Sequence, residues 1–506
     1  MESGSGKVTA RGAPSPGSQF CGRTRREFLW ETGAGFTGVA MAAMLQQDGF
    51  FKKYAHAEEP GPAGELNLLA PKKPHFVPRA KRCIFLFMYG GPSQMDLFDH
   101  KPYLQKNDGK TVDIEIRRRS IQKQKLLGSR REFKRRGESG LWCSEALPRI
   151  AGHMDKMAVV KSLYMDSFAH GSALLQMNCG QVIQGHPSLG SWLAYGLGTV
   201  NQNLPAYVTM LDPRGGPVSG APNWGSGYMP AAYQGTLFRS GGDPILNLSP
   251  NSAVASGIQR DRISTINALN ARHLVDRPGY SELQARIASY ELAFQLQTTA
   301  PEALDLEQES YRTRELYGVY DPKPSHKLSV GPAPFARQCL VARRLIERGV
   351  RFVQIYHGGG HQQQNWDAHH GVEENLDIHC PEIDKPISAL LTDLQQRGLL
   401  EDTLVVWGGE FGRQPVSQGN NHGRDHNPKG FTYWFAGAGI KPGISYGATD
   451  EIGHEAVENR HHIRDLHATI LHLMGLDHEN LTYLYGGLDR RLTGVQHSEV
   501  IKGILA

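Results

Sequence analysis

Residues 401–441 read EDTLVVWGGEFGRQPVSQGNNHGRDHNPKGFTYWFAGAGIK. Leu404, Val405, Val406 and Trp407 form an apolar run with no polar alternation, the pattern of a parallel strand covered on both faces. Gly408-Gly409 ends the run, and Glu410 follows at its carboxyl end, where open α/β sheets place their sites. Asp425-His426 comes next, and a second apolar run opens at Phe431–Phe435. A carboxylate and a histidine delivered to one sheet edge can bind a metal and hold a substrate anion. The competing reading is a polar loop with surface histidines.

The same grammar recurs outward from this stretch. Cys83–Tyr89 is a continuous apolar strand broken by Gly90-Gly91-Pro92-Ser93, with Asp96 and Asp99 beyond it. Met157–Val160 is a strand followed by Asp166, His170, Gly171 and Ser172; Ala206–Met210 and Arg351–Tyr356 are two more. Helices are expected at Ser188–Leu197, 281–317, Phe335–Gly349, Asp377–Gly398 and His462–Gly475, several of them ended by glycine. Helix and strand alternate through the last third, which predicts an α/β fold: a mostly parallel central sheet with helices on both faces. Long insertions interrupt it, a basic one at about 105–140 and an irregular Gly/Pro/Ser/Asn-rich one at about 213–255. No internal repeat is visible.

The chain has 506 residues, enough for one large domain with insertions, and a net charge of only +5. Much of the basic excess lies in Arg117–Arg136, which could touch an acidic polymer or a membrane headgroup but reads first as a solvated insertion; no nucleic-acid partner is expected. Near the amino terminus Arg25-Arg26 precedes Phe28-Leu29 and a Gly/Ala-rich apolar stretch from Gly33 to Leu45. This resembles a twin-arginine (Tat) export signal. Residues 1–57 are read as that signal segment, with Ala55-His56-Ala57 as a small-x-small cleavage site, and 58–80 as a Pro-rich linker. The expectation is therefore a periplasmic or otherwise extracytoplasmic protein, handed to the Tat machinery already folded, with no transmembrane helix in the mature chain. Of six cysteines, five follow the signal, none in a CxxC pair, so no thiolate zinc site is expected; Cys83 and Cys339 read as buried packing residues.

Four loops, each after an expected strand, carry ligand-type side chains: Asp96; His170 and Ser172; Asp367 and His369; and Glu410 with Asp425 and His426. In a parallel sheet the strand carboxyl ends share one side, so these groups can converge across large sequence separations. Mixed carboxylate and imidazole donors suit zinc, manganese or iron, and carboxylates alone suit magnesium or calcium.

The motifs carry a family resemblance. Asp402–Gly412 is similar to the "DTLVVxxSDHG" strand of the alkaline phosphatase/sulfatase superfamily. His426–Gly443 resembles its next strand and "PGI" turn, and Arg464–Gly475 resembles its "DlaPTlLdlaG" helix. Gly90–Asp99, Asn365–His369, Glu410–Pro415 and Gly423–His426 resemble the "GGPSQxDxFD", "GWDxH", "EFGRxP" and "GRDH" segments of an uncharacterised Tat-exported branch of that clan, over residues 25–500 or so. The resemblance implies an alkaline-phosphatase-like domain over 81–500 and a site for one or two divalent metal ions, zinc or manganese foremost. Asp367, His369 and His426 fall on one ligand set, with His370 a rival for His369; Asp96 and Glu410 fall on the other. Phe411 stands where the superfamily has a ligand histidine, and no formylglycine motif of true sulfatases is present. Ser172 or a metal-bound water is then the nucleophile, with His170 orienting it or acting as acid/base; Ser172 also reads as a helix-start residue. Arg413 and Arg424 are read as binding an anionic substrate group, or as pairing with Asp425. The implied function is a metal-dependent hydrolase of phosphate or sulfate esters, on a small anionic molecule or a polysaccharide. The alternative is a non-catalytic member binding a glycan or polyanion at the cell surface. His461, His462, His467 and His472 read as helix surface or packing.

Overall fold

The computed structural model describes residues 67–116, 120–239, 256–275, 296 and 300–506. The Tat-like signal, the start of the linker and most of the 240–299 stretch lie outside the described residues.

Among the described residues nine strands form the central sheet: β1 (Arg82–Met88), β2 (Met157–Tyr164), β3 (Tyr207–Met210), β4 (Thr236–Phe238), β5 (Phe352–His357), β6 (Thr403–Gly408), β7 (Phe431–Gly437), β8 (Ile444–Tyr446) and β9 (His461–His462). Their order is β8-β2-β7-β6-β1-β5-β3-β4, with β9 also pairing β2. β1 lies between β6 and β5, parallel to both. β3 is parallel to β5 and β4, and β8 and β9 are parallel to β2. β7 alone runs against its neighbours, β6 and β2. The strand 431–437 therefore continues the sheet in the opposite sense, as a 22-residue excursion carrying ligand-type side chains allows, since it brings the chain back to the end of β6 it left.

The apolar runs follow from burial on both faces. Along β1, Ile84, Leu86 and Met88 enter one core with Val405 and Trp407, while Cys83, Phe85 and Phe87 enter the other with Leu404 and Val406. Helices α1 (His170–Cys179), α2 (Leu189–Leu197), α3 (Pro332–Glu347), α4 (Val372–Gln396) and α5 (Ile463–Leu473) cover the sheet. α3 and α4 supply Phe335, Leu340, Ile383 and Leu390 to the first core. α1, α2 and α5 supply Leu174, Trp192 and Ile470 to the second. The expected α/β fold, with helices on both faces of a mostly parallel sheet, is the observed one.

α4 starts five residues before its expected start, at Val372. The His/Gly/Gln-rich sequence ahead of it hides the boundary, although Glu373 and Glu374 in the first turn favour the positive end of the helix dipole. The basic insertion is two hairpins, Thr111–Ile116 with Ser120–Lys125 and Phe133–Arg136 with Leu141–Ser144. The first is rooted on a small apolar cluster of Met95, Leu104, Ile114, Leu126 and Val416. Cys83, Cys143, Cys179, Cys339 and Cys380 are all buried and free. No helix among the described residues is long and apolar enough to cross a membrane.

Candidate metal centre

The carboxyl ends of β1, β5 and β6 and the start of α1 meet at one point. Two glycine positions let the loops approach. Gly90, at φ 109°, turns the chain out of β1, and a Cβ there would lie 2.5 Å from both the Asn365 Oδ1 and the Asp367 nitrogen. At Gly423 a Cβ would collide with the His369 carbonyl. The Arg424 N–H donates to the Ala368 carbonyl at 2.8 Å, which ties the loop carrying His426 to the loop carrying Asp367 and His369.

The result is a tight trio. His369 Nε2 and His426 Nε2 lie 2.9 Å apart. Asp367 Oδ1 lies 3.0 Å from the first and 3.1 Å from the second. His170, the first residue of α1, brings its Nε2 to 3.2 Å from the same oxygen. The partners of the remote ring nitrogens assign the tautomers. His426 Nδ1–H donates to the Phe168 carbonyl at 2.7 Å, and His369 Nδ1–H to Gln418 Oε1. Both Nε2 atoms therefore turn lone pairs toward Asp367. Three acceptors facing one another with no hydrogen between them repel unless a cation lies among them. Tetrahedral zinc with bonds of ~2.0 Å would set its ligands ~3.3 Å apart, close to the separations seen. The residues thus fit a divalent metal, and each imidazole carries the oriented partner that metal-binding histidines use.

His170 and His426 titrate in opposite senses. Burial lowers His426 to about 3, aided by the charges of Arg413 and His170 and opposed by Asp367, so it is neutral, as a ligand must be. Burial also opposes charge on His170, but its hydrogen bonds and attraction to Asp367 and Glu410 outweigh that and hold it up at about 9. Asp367 is kept far below the usual carboxylate range: burial works against its charge, and Arg413 and His170 prevail. From the ordinary imidazole value of 6.5, His170 contributes stability below that pH and loses it as pH rises through about 9. His426 contributes above 6.5 and loses it as pH falls toward 3. In chelator-stripped protein the urea midpoint is therefore expected to fall between pH 7 and 9, and His170→Asn to flatten that fall.

Other sequence-assigned residues take different places. Glu410 is fully enclosed and does not reach the trio. It accepts from the Gly90 N–H at 3.0 and 3.1 Å and from His170 Nδ1 at 2.6 Å, so it orients His170. Asp96, expected as a ligand, is fully buried against Arg424, at 2.8 and 3.2 Å, and accepts from Ser93. Arg424 and Arg413, expected to grip a substrate anion, have no exposed surface. Arg424 is spent on Asp96, not on Asp425. Arg413 donates to Asp367 Oδ1 at 2.8 Å and to the carbonyls of Gly90, Gly91 and Arg424. Ser172 lies within α1, its hydroxyl 2.6 Å from the Ser167 hydroxyl and 3.3 Å from the Ala169 carbonyl. His370 is exposed and lies outside the trio, which takes in His369. Phe411 stacks on His426 at 4.6 Å between ring centres and sits 4.9 Å from His170, walling one side of the trio.

Gln418, which fixes the ring of His369, was not foreseen; one amide in a loop carries no pattern that marks it. Gln418→Leu is expected to weaken metal binding ~10–100-fold without unfolding the chain, read by competition with a chromogenic chelator.

Residues 80–505 match the model of the family described as "Protein of unknown function (DUF1501)". The chain belongs to that family. No curated protein matches it. Among solved structures, DUF1501 chain and neighbour share the following likenesses. The lipoteichoic acid synthase LtaP from Listeria monocytogenes is 10% identical, covering 85% of this chain and 79% of that one, with a TM-score of 0.32. Alkaline phosphatase from the Antarctic bacterium TAB5 is 11% identical over 79% and 99%, at 0.31. The PsFucS1 sulfatase from Pseudoalteromonas sp. is 12% identical over 78% and 68%, at 0.32. At these scores nothing about the chemistry of this DUF1501 protein follows from them.

Proposed function

We propose that this chain is a metal-dependent hydrolase of phosphate or sulfate esters, with a single divalent ion held by Asp367, His369 and His426. The carrying observation is the convergence of Asp367 Oδ1 and two imidazole lone pairs within 3.1 Å. Three protein ligands with a position left over is the pattern of catalytic rather than structural zinc; manganese is the alternative metal, with magnesium or calcium less suited to the two imidazoles. One ion, not two, is favoured because Asp96 is already neutralised by Arg424.

A bound divalent ion supplies Lewis-acid polarisation of a phosphoryl or sulfuryl oxygen. The chain's own groups do the rest. Ser172 is held by Ser167 and Ala169, so water is the attacking group. His170, fixed by Glu410 and facing the trio, moves the proton to or from the reacting oxygens. Phe411 walls one side and keeps the two rings in register. The substrate is an anionic small molecule or a polysaccharide ester. Export through the Tat machinery by way of Arg25-Arg26, to the periplasm or beyond, belongs to the same reading and rests on the sequence.

The test is turnover of aryl phosphate and aryl sulfate esters by protein loaded with zinc or manganese. His170→Asn is expected to keep the metal and lose ~10²–10⁴-fold in turnover. Turnover unchanged in His170→Asn would overturn its role. The position of Ser172 favours one competing reading, a member that binds a glycan or polyanion without turnover. No hydrolysis of either ester by metal-loaded protein would favour that reading.

A further inference from the structure

Beneath the metal centre lies a second cluster of metal-type side chains, His357, His379 and Glu382, all without exposed surface. Its hydrogen bonds argue against a metal there. Trp366 Nε1–H donates to His357 Nδ1 at 3.1 Å. An indole nitrogen can only donate, so the proton of a neutral His357 is on Nε2. That atom lies 3.0 Å from Glu382 Oε2, and it presents a hydrogen where a metal would need a lone pair. Glu382 is also saturated. Its Oε1 accepts from the Ser329 hydroxyl and the Val330 N–H, each at 2.8 Å. Its Oε2 accepts from Arg214 at 2.8 Å.

The groups around Glu382 all lead to one loop, 358–370, which joins β5 to α4 and carries Asp367 and His369. Arg214 also pairs with Asp212 at 2.8 and 2.9 Å, and Asp212 accepts from the Gly358 N–H at 2.8 Å, at the loop's first residue. His379 Nε2–H donates to the Gln363 carbonyl at 3.1 Å. His357 holds the indole of Trp366, the residue before Asp367. On the same helix as Glu382, Asn375 donates to Gln363 Oε1 at 2.7 Å and to the Asn365 carbonyl at 2.8 Å. The loop is thus gripped at 358, 363, 365 and 366 from one buried carboxylate and the helix that bears it.

We propose that Glu382, through His357 and Trp366, is a positioning residue for the metal centre: it fixes the loop so that Asp367 and His369 meet His426. Metal ligands tolerate little displacement, and groups behind them govern affinity. The inference rests on the metal reading above, and its readout is metal affinity in the intact chain. Zinc dissociation constants are measured by chelator competition, with near- and far-ultraviolet circular dichroism reporting the fold. His357→Leu keeps volume and loses the hydrogen bond from the indole and the 3.0 Å contact with Glu382; it is expected to raise the dissociation constant ~10-fold or more. His357→Gln can accept from the indole and donate to Glu382, and is expected to restore affinity to within about threefold of the parent. Trp366→Phe removes the N–H and keeps a ring, and is expected to weaken binding in the same direction; it carries the test if His357→Leu does not fold. Folded His357→Leu or Trp366→Phe that binds zinc as the parent does overturns the proposal. A parent protein that binds neither zinc nor manganese overturns the metal reading and this one together.

Discussion

Asp367→Asn is expected to abolish the proposed metal binding and turnover together while the chain stays folded. One oxygen, Asp367 Oδ1, meets His369, His426, His170 and Arg413 at 2.8–3.2 Å. An amide keeps the size of the group and removes the charge that makes the point attractive to a cation. Loss of a ligand exceeds the ~10–100-fold cost of losing an outer partner, so affinity is expected to fall by at least ~100-fold. Arg413 keeps the carbonyls of Gly90, Gly91 and Arg424, and the stability cost is held to ~1–3 kcal/mol, within what one weakened charged hydrogen bond commands. Chelator competition and urea unfolding on the same samples separate the two effects. His170→Asn is the control: metal retained, turnover lost.

The second large effect is on stability. Arg424→Met leaves Asp96 fully buried with its guanidinium partner gone, and removing one member of a buried pair costs ~3–5 kcal/mol. The double variant Asp96→Leu, Arg424→Met is expected to recover most of that loss, since replacing both charges by apolar groups is often neutral. Urea unfolding of the two variants checks this. A single variant as stable as the parent would mean that the pair does not hold these loops.

How far the sequence spoke depends on what kind of signal each residue leaves. Leu404–Trp407 and Cys83–Phe87 announced buried parallel strands because both faces of those strands enter apolar cores. The convergence of Asp367, His369 and His426 was legible because each sits in a motif after a strand, and topology brings strand ends together. Asp96 and Glu410 looked the same in sequence. Only three dimensions show that a guanidinium occupies the first and that a histidine stands between the second and the trio. Arg413 and Arg424 read as anion binders because a loop arginine is ordinarily exposed. Here the close approach at Gly90 and Gly423 leaves both enclosed. The orienting groups were the least legible, since the Phe168 carbonyl has no side-chain signature and Gln418 no spacing rule.

The most direct test of the account is the metal content of the full-length protein purified without chelators, measured by elemental analysis on the parent and on Asp367→Asn. One equivalent per chain in the parent and none in Asp367→Asn is the predicted result. Two equivalents in the parent, or one retained after Asp367 is replaced, would contradict the single-ion centre of Asp367, His369 and His426.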